Sequence, residues 1–269
     1  MDLVSVRTTR VPRSRAELTF SAGDLPLGGG TWLFSEPQPG VTGLVDLTGL
    51  GWPAITATPD ALVVAATCTL EDLARVPAAQ CGAARELIWR CCTALLGSYK
   101  IWHTATVGGN ICLALPAGPM TSLAVALDAQ AVTWPAGGGE RRLPVADLVV
   151  DVRACDLAPG EVLRAIEIPA ASLAARTGFR RLALSPLGRS GTLVIARADA
   201  AGEFVVTVTA GTRRPHQLRF DEVPPARALE SAVLRLDDWY DDAHGAPDWR
   251  RAMTALLAEE LRVELGGAA

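Results

Sequence analysis

Leu27-Gly28-Gly29-Gly30-Thr31-Trp32 and Ala105-Thr106-Val107-Gly108-Gly109-Asn110 are the two stretches on which the reading of this chain turns. Adjacent glycines let consecutive backbone N–H groups turn toward one point, because no Cβ blocks a close approach. One such cluster is an ordinary tight turn. Two of them, carrying the hydroxyl or amide side chains of Thr31, Thr106 and Asn110, suggest opposed walls around an anion such as a pyrophosphate. Neither cluster has a Lys or Arg beside it, so a phosphate would meet backbone dipoles and those three side chains. Fixed donors of this kind suit a permanently bound group. The apolar neighbours Leu33, Phe34, Ile111 and Leu113 would line an aromatic ring system. Spacing alone leaves a second reading equally open, in which both clusters are turns in a chain with 25 glycines.

The bulk properties narrow the class. The 269 residues suffice for one large domain or two modest ones. About half are apolar (49%), the profile of a globular protein. A net charge of −4, with no basic run and with lysine almost absent (Lys100 is an instance), argues against nucleic-acid binding. The leading Met1-Asp2-Leu3-Val4-Ser5-Val6-Arg7 has no apolar core of signal-peptide length, which points to the cytoplasm. The segment 101–127 lacks Asp, Glu, Lys and Arg, but Gly108, Gly109, Asn110, Pro116, Gly118 and Pro119 interrupt it too often for a membrane span. The cysteines at 68, 81, 91, 92, 112 and 155 show neither Cys-x-x-Cys nor zinc spacing, so they read as small core residues and no metal site is expected.

Outward from the clusters, a short strand and a polar turn region fill 1–24, and buried strands are predicted over 41–47 and 61–66. Thr69 offers an N-cap for a helix over 70–75, which Pro77 stops. Leu87, Ile88, Cys91, Cys92, Leu95 and Leu96 mark one face of a helix over 81–96, with Gly97 as its stop. A further helix is predicted over 121–129. The triple glycine 137–139 reads as the turn of a hairpin between 132–134 and 141–144. Strands follow at 162–168, 179–184, 192–196 and 204–209, the last two joined by Asp199-Ala200-Ala201-Gly202. From Ala226 the chain reads as helical, with Pro247 near the start of the last helix and Gly266-Gly267 past its end. The fold class is α+β: a mixed lobe over 1–168, then antiparallel strands and helices over 169–269.

Several chemistries lack their signatures. There is no G-x-G-x-x-G, no P-loop and no nucleophile elbow. His103, His216 and His244 stand in unrelated contexts, and His103 reads as a loop histidine with a local hydrogen bond. No catalytic side chain is assigned.

On these residues the chain resembles the FAD-binding medium subunit of the molybdenum hydroxylases, the xanthine dehydrogenase and carbon monoxide dehydrogenase family. Gly28-Gly29-Gly30-Thr31-Trp32-Leu33 is similar to the family's first loop, followed by a strand like Leu44-Val45-Asp46-Leu47. Thr106-Val107-Gly108-Gly109-Asn110 matches the second loop, and Ala124-Val125-Ala126-Leu127-Asp128-Ala129 the helix after it. Phe179-Arg180-Arg181 and Gly211-Thr212-Arg213-Arg214-Pro215 fit the family's smaller C-terminal domain more loosely. The resemblance implies a two-lobed, PCMH-type FAD-binding domain over 1–168 and a carbon monoxide dehydrogenase flavoprotein-like C-terminal domain over 169–269.

It further implies that Leu27, Gly28, Gly29, Gly30, Thr31, Trp32, Thr106, Val107, Gly108, Gly109 and Asn110 bind FAD, chiefly its pyrophosphate, with Arg181 close to the flavin. Relatives usually carry an Asp on the adenosine ribose where this chain has Pro119, which offers neither a carboxylate nor an N–H. The implied role is electron relay. A molybdopterin-binding large subunit oxidises the substrate, a small subunit's [2Fe–2S] clusters carry the electrons on, and the flavin delivers them to an external acceptor, in a dimer of heterotrimers. Two alternatives are a stand-alone flavin oxidoreductase of the same fold, which needs its own acid and base, and a flavin-free assembly scaffold.

Overall fold

The computed structural model describes residues 3–267; Met1 and Asp2 of the leading segment, and the last two residues of the 169–269 division, lie outside them. Three parallel strands form the first sheet, with Gly43–Asp46 between Thr8–Arg10 and Asp24–Leu27. The middle strand is the predicted buried one, and Leu44 and Val45 are enclosed. Asp24, half covered by the sheet, pairs with Arg10 at 2.5 Å. The strand Asp24–Leu27 runs straight into the first glycine cluster, so this sheet aims it.

A five-stranded antiparallel sheet follows, in the order Ile55–Ala57, Ala61–Ala65, Val162–Pro169, Gln130–Trp134, Arg141–Pro144. The hairpin at 130–144 turns through Gly138 and Gly139, both at positive φ, as the triple glycine predicts. Helices inserted between the strands cover one face, and Leu62, Leu70, Leu73, Leu87, Ile88, Ile111, Leu123 and Ile166 fill the space between. Thr69 caps the helix Leu70–Ala74, its hydroxyl accepting the Asp72 N–H.

The helix predicted over 81–96 is broken. Ala78–Cys81 ends at Gly82 (φ +53), a 3-10 turn follows, and the regular helix is Arg85–Thr93. Cys91 and Cys92 lie on its buried stripe, as their spacing implies, whereas Leu96 is left over in the left-handed region (φ +52) and is half exposed. The chain turns at Leu96 because Gly97 is pressed against Ile101, an approach that a side chain at 97 would prevent. The uncharged stretch is divided among the helices Tyr99–Thr104, Val107–Cys112 and Pro119–Ala126. The last starts two residues before the predicted 121–129, with Pro119 at its first position, where its missing N–H costs nothing. Among the described residues no helix is long and apolar enough to cross a membrane.

The remainder is an antiparallel meander, Arg176–Leu182, Thr192–Ala198, Phe204–Thr209, His216–Phe220, in that order. Gly202 (φ +100) makes the predicted turn, its N–H donating to the Asp199 carbonyl. Helices Ala226–Leu234 and Pro247–Gly266 pack on one face around Val194, Val206, Leu229, Val233, Leu257 and Leu261. Pro247 opens the last helix as expected, but Gly266 is its final residue and Gly267 its cap. The other face supplies Leu193, Ile195 and Ala210 to the first core, so the two sheets share apolar packing. The result is the mixed α+β architecture that the strand and helix signals imply.

One buried cation ties the parts together. Arg197, 2% exposed on the strand Thr192–Ala198, donates to Asp128 (2.5 Å), Asp199 (2.8 Å), the Ala126 carbonyl (2.8 Å) and Ser172. Burial alone would push the Asp128 carboxyl up, but hydrogen bonds from Arg197 and Gln217 and the charges of Arg197 and Arg219 hold it below its ordinary value. Replacing Arg197 by Met should lower stability by roughly 3 kcal/mol at neutral pH, read by urea unfolding. A carboxyl whose folded value is depressed stabilises the fold above its unfolded value, about 3.9, and that contribution is lost as pH falls through the folded value. The stability gap between wild type and Arg197→Met therefore narrows below about pH 4.

Candidate functional site

The two glycine clusters meet. A Cβ built on Gly29 would land on the Thr104 carbonyl oxygen, and one on Gly28 would stand 2.7 Å from the Thr106 hydroxyl. Glycine is required at Gly29 by the approach of the Thr104 backbone, just before the second cluster, and at Gly28 by the approach of the Thr106 side chain within it. Gly30 sits at φ +67 over the Phe34 ring, and the Phe34 N–H returns to the Gly30 carbonyl at 2.9 Å, closing the bend.

The clusters differ in what they do with their N–H groups. Among the described residues, the amides of Gly29, Gly30, Thr31 and Trp32 meet no acceptor. The sequence implies a loop of the same kind for the second cluster, but it is the start of the helix Val107–Cys112. Thr106 caps it by accepting the Gly109 N–H (3.1 Å), the Val107 N–H donates to Cys68, the Gly108 N–H to Ala66, and the Asn110 N–H to Thr106. Gly108 is there because Ala66, at the end of the strand Ala61–Ala65, lies against its Cα; a Cβ would come within 2.5 Å of the Ala66 Cβ. The clusters therefore abut along one edge, one offering amides and the other buttressing it. On Gly109 the added Cβ would find only the Thr106 hydroxyl within 4 Å, so that face is open.

Side chains complete the geometry. The Trp32 indole N–H is buried with no partner. Its ring lies 6.0 Å from the Arg189 guanidinium, which comes from the loop after the strand Arg176–Leu182. Arg181 does not join them. Its guanidinium donates to the Gly188 and Pro186 carbonyls and to the Ser190 hydroxyl, stapling the loop that carries Arg189. No local pattern in the sequence singles out Arg189, because its neighbour at Trp32 is brought there only by folding. Asn110 turns inward: its Oδ1 accepts the Met120 N–H at 2.9 Å, linking the second cluster to the helix Pro119–Ala126. Behind it the Thr121 hydroxyl is buried without a partner.

The titratable groups nearby offer little chemistry. Burial pushes the thiols of Cys68 and Cys92 up to about 12 and that of Cys155 up to about 11, and drives Cys112 higher still. A thiol that stays protonated is a poor nucleophile and a poor metal ligand. All six cysteines are free. Among the described residues no group of three or more His, Cys, Asp or Glu side chains is placed to hold a metal. His103 lies on the helix Tyr99–Thr104 rather than in a loop, with Nδ1 on the Tyr99 carbonyl (3.0 Å) and Nε2 on Glu71 (2.7 Å).

Residues 19–171 match the family described as the FAD binding domain in molybdopterin dehydrogenase. Among solved structures the chain is similar to quinoline 2-oxidoreductase from Pseudomonas putida 86, at 22% identity over 98% of each chain with a TM-score of 0.82. It is also similar to a carbon monoxide dehydrogenase from Hydrogenophaga pseudoflava that lacks the Mo-pyranopterin moiety of its molybdenum cofactor, at 17% identity over 95% of this chain and 96% of that one, TM-score 0.80. A third is the reconstituted carbon monoxide dehydrogenase from Oligotropha carboxidovorans, at 20% identity over 98% and 99%, TM-score 0.79. At these identities the structural likeness establishes the fold. No curated protein matches the chain.

Because Gly29 abuts backbone rather than a flexible side chain, Gly29→Ala must push the two clusters apart. A loss of about 1–3 kcal/mol is expected in urea unfolding of the ligand-free protein. Gly137→Ala, in the hairpin turn with nothing within 4 Å of its added Cβ, should leave stability within about 0.5 kcal/mol of wild type.

Proposed function

Since the chain belongs to the family of FAD binding domains in molybdopterin dehydrogenases, we propose that it is the flavoprotein subunit of a molybdenum hydroxylase, relaying electrons to an external acceptor. The observation that carries this reading is the junction of the two glycine clusters, where four amides, from Gly29 to Trp32, are left without acceptors. All four residues are partly exposed, and a diphosphate laid on that bend would take their N–H groups in place of water.

The residues fit the group in three respects. Among the described residues, the amides from Gly29 to Trp32 have no protein acceptor, Gly109 leaves an open face in the second cluster, and the indole N–H of Trp32 has no protein acceptor. When bound, FAD supplies the redox chemistry, and the protein's task is to bind, orient and tune it. In this reading Thr31 and the amides from Gly29 to Trp32 hold the diphosphate, while Leu33 and Leu113 exclude water from the ring system; Ile111, expected there, is instead enclosed in the core. The second cluster acts mainly as a buttress, through Thr106, Gly108 and Gly109, while Leu27 delivers the first cluster from its sheet. Val107 and Asn110 anchor that buttress to Cys68 and to the next helix. Arg181 serves by holding the loop that presents Arg189 to Trp32. No side-chain acid, base or nucleophile is required for electron relay.

The partners belong to the same proposal: a molybdopterin-binding large subunit and a [2Fe–2S] small subunit, assembled as a dimer of heterotrimers. Similarity to the two carbon monoxide dehydrogenases and to quinoline 2-oxidoreductase supports it. The proposal also divides the chain into an FAD-binding part over 1–168 and a C-terminal part over 169–269; the strand Val162–Pro169 of the five-stranded sheet ends near that boundary and the meander starts at Arg176. Six free thiols agree with a reducing compartment such as the cytoplasm. A flavin-free scaffold is the second reading, favoured by Pro119 and by the engaged amides of the second cluster.

Flavin content separates the two. The full chain incubated with FAD and desalted should be yellow and hold close to one FAD per chain. Gly109→Val, which plants a side chain on the open face, should lose most of it. Equal flavin in wild type and variant would overturn the assignment of this junction, and a wild type that stays colourless would favour the scaffold.

A further inference from the structure

Thr104, whose carbonyl lies against Gly29, is the last residue of the helix Tyr99–Thr104. Whatever fixes that helix fixes the seat of the first cluster, and the residue just before Thr104 is His103. Both nitrogens of its ring are engaged. Nδ1 lies 3.0 Å from the Tyr99 carbonyl oxygen, and Nε2 lies 2.7 Å from Glu71 Oε2. A carbonyl and a carboxylate only accept, whereas a neutral imidazole has a single N–H to give. Only the imidazolium donates to both, so the two contacts together select the protonated ring. Loss of the proton leaves a nitrogen lone pair facing an oxygen lone pair.

Glu71 is placed to act as the other half of a clamp. It stands in the first turn of the helix Leu70–Ala74, with its side chain 15% exposed. Its second oxygen, Oε1, pairs with Arg75 at 2.5 Å, so the carboxylate is steadied from its own segment while it reaches across to the next helix. Two backbone contacts join the same segments. The Leu70 N–H donates to the Ala105 carbonyl at 3.0 Å, and Thr69 forms a β-bridge with Thr106. Thr104 is thereby held through the residue before it and the two residues after it.

The other charged groups on the packed elements are differently placed. Asp72 accepts from the Thr69 hydroxyl at 2.7 Å, and on the helix Arg85–Thr93 Arg90 pairs with Glu86 at 2.7 Å. Lys100, on the helix of His103, is exposed. Tyr99 lays its ring on the imidazole, with 3.9 Å between centroids. Among the described residues Glu71 is the one carboxylate within ion-pair reach of the ring.

We propose that His103 is a positioning residue for the cofactor: as an imidazolium it ties the helix Tyr99–Thr104 to Glu71, holds the Thr104 carbonyl beneath Gly29, and makes the affinity for FAD fall as pH rises. The inference rests on the FAD reading above and adds a control to it. The sign follows from the form that is held. The contacts favour the protonated ring, so their contribution is present at low pH and is lost as the ring deprotonates.

Fluorescence titration of the full chain with FAD, from about pH 6 to about pH 9, spans the histidine range. Wild type should bind about threefold more weakly at the upper end, the size expected of a partly exposed pair. His103→Leu, which cannot titrate, should bind at both ends as weakly as wild type does at the upper one. Glu71→Gln, which keeps an acceptor and removes the charge, should also show no step. A residue that only fills space would weaken binding equally at every pH and leave the step in place. The proposal falls if wild type binds FAD equally at both ends of the range, or if the step survives in either variant. A wild type without affinity for FAD at any pH would instead overturn the underlying reading. The clamp is then tested without ligand: the melting-temperature gap between wild type and His103→Leu should shrink as pH rises, and a gap that does not change with pH overturns it.

Discussion

Everything at the candidate site depends on one steric constraint, the seating of bare backbone at Gly29 against the Thr104 carbonyl. Any side chain at that position would occupy the carbonyl oxygen's place. The contact brings a bend from the parallel sheet against the end of the helix Tyr99–Thr104, one residue before the stretch that caps the next helix. Two segments far apart in the chain are thereby held in register to within a van der Waals contact, and the direction of the amides from Gly29 to Trp32 follows.

The surrounding architecture keeps that contact in place. The first cluster hangs from the strand Asp24–Leu27, and Asp24 in that strand is clamped by Arg10. The second is docked twice onto the segment that follows the strand Ala61–Ala65, by the N–H groups of Val107 and Gly108 on the carbonyls of Cys68 and Ala66. The helix Pro119–Ala126 then carries the connection into the meander, through the Ser122–Thr209 hydroxyl pair (2.7 Å) and the Arg197 network at its C-terminal end. The Ala210 N–H donates to the Pro116 carbonyl in the segment that follows the second cluster. The site is thus held from both sheets, consistent with a scaffold that positions a cofactor and leaves the chemistry to it.

The elements legible in the sequence were those with local causes. Thr69 caps its helix, the glycines 137–139 turn their hairpin, and Pro247 opens the last helix, each through its own side chain or its own φ preference. The elements that escaped were decided by distant neighbours. Val107–Cys112 holds two adjacent glycines, poor helix formers, and becomes a helix because Thr106 caps it and Ala66 needs Gly108 close. The helix over 81–96 was overdrawn because its apolar stripe continues to Leu95 and Leu96, while Gly82 and the press of Gly97 on Ile101 break the backbone at both ends. The position of Arg189 over the Trp32 ring has no local signal either, and the guanidinium of Arg181 holds the loop that carries it.

By itself the sequence determined where close backbone approaches are possible, which faces of the strands and helices are apolar, and, through its two motifs, the family to which the chain belongs. The tertiary structure alone decided what each glycine approaches, which amides are engaged and which stay open, and that Thr121 and Trp32 carry buried polar groups without partners. The physical reason is that periodicity and turn chemistry act through a residue's own backbone and its near neighbours. A hydrogen-bond acceptor or a steric wall can come from anywhere in the chain, and only packing chooses it.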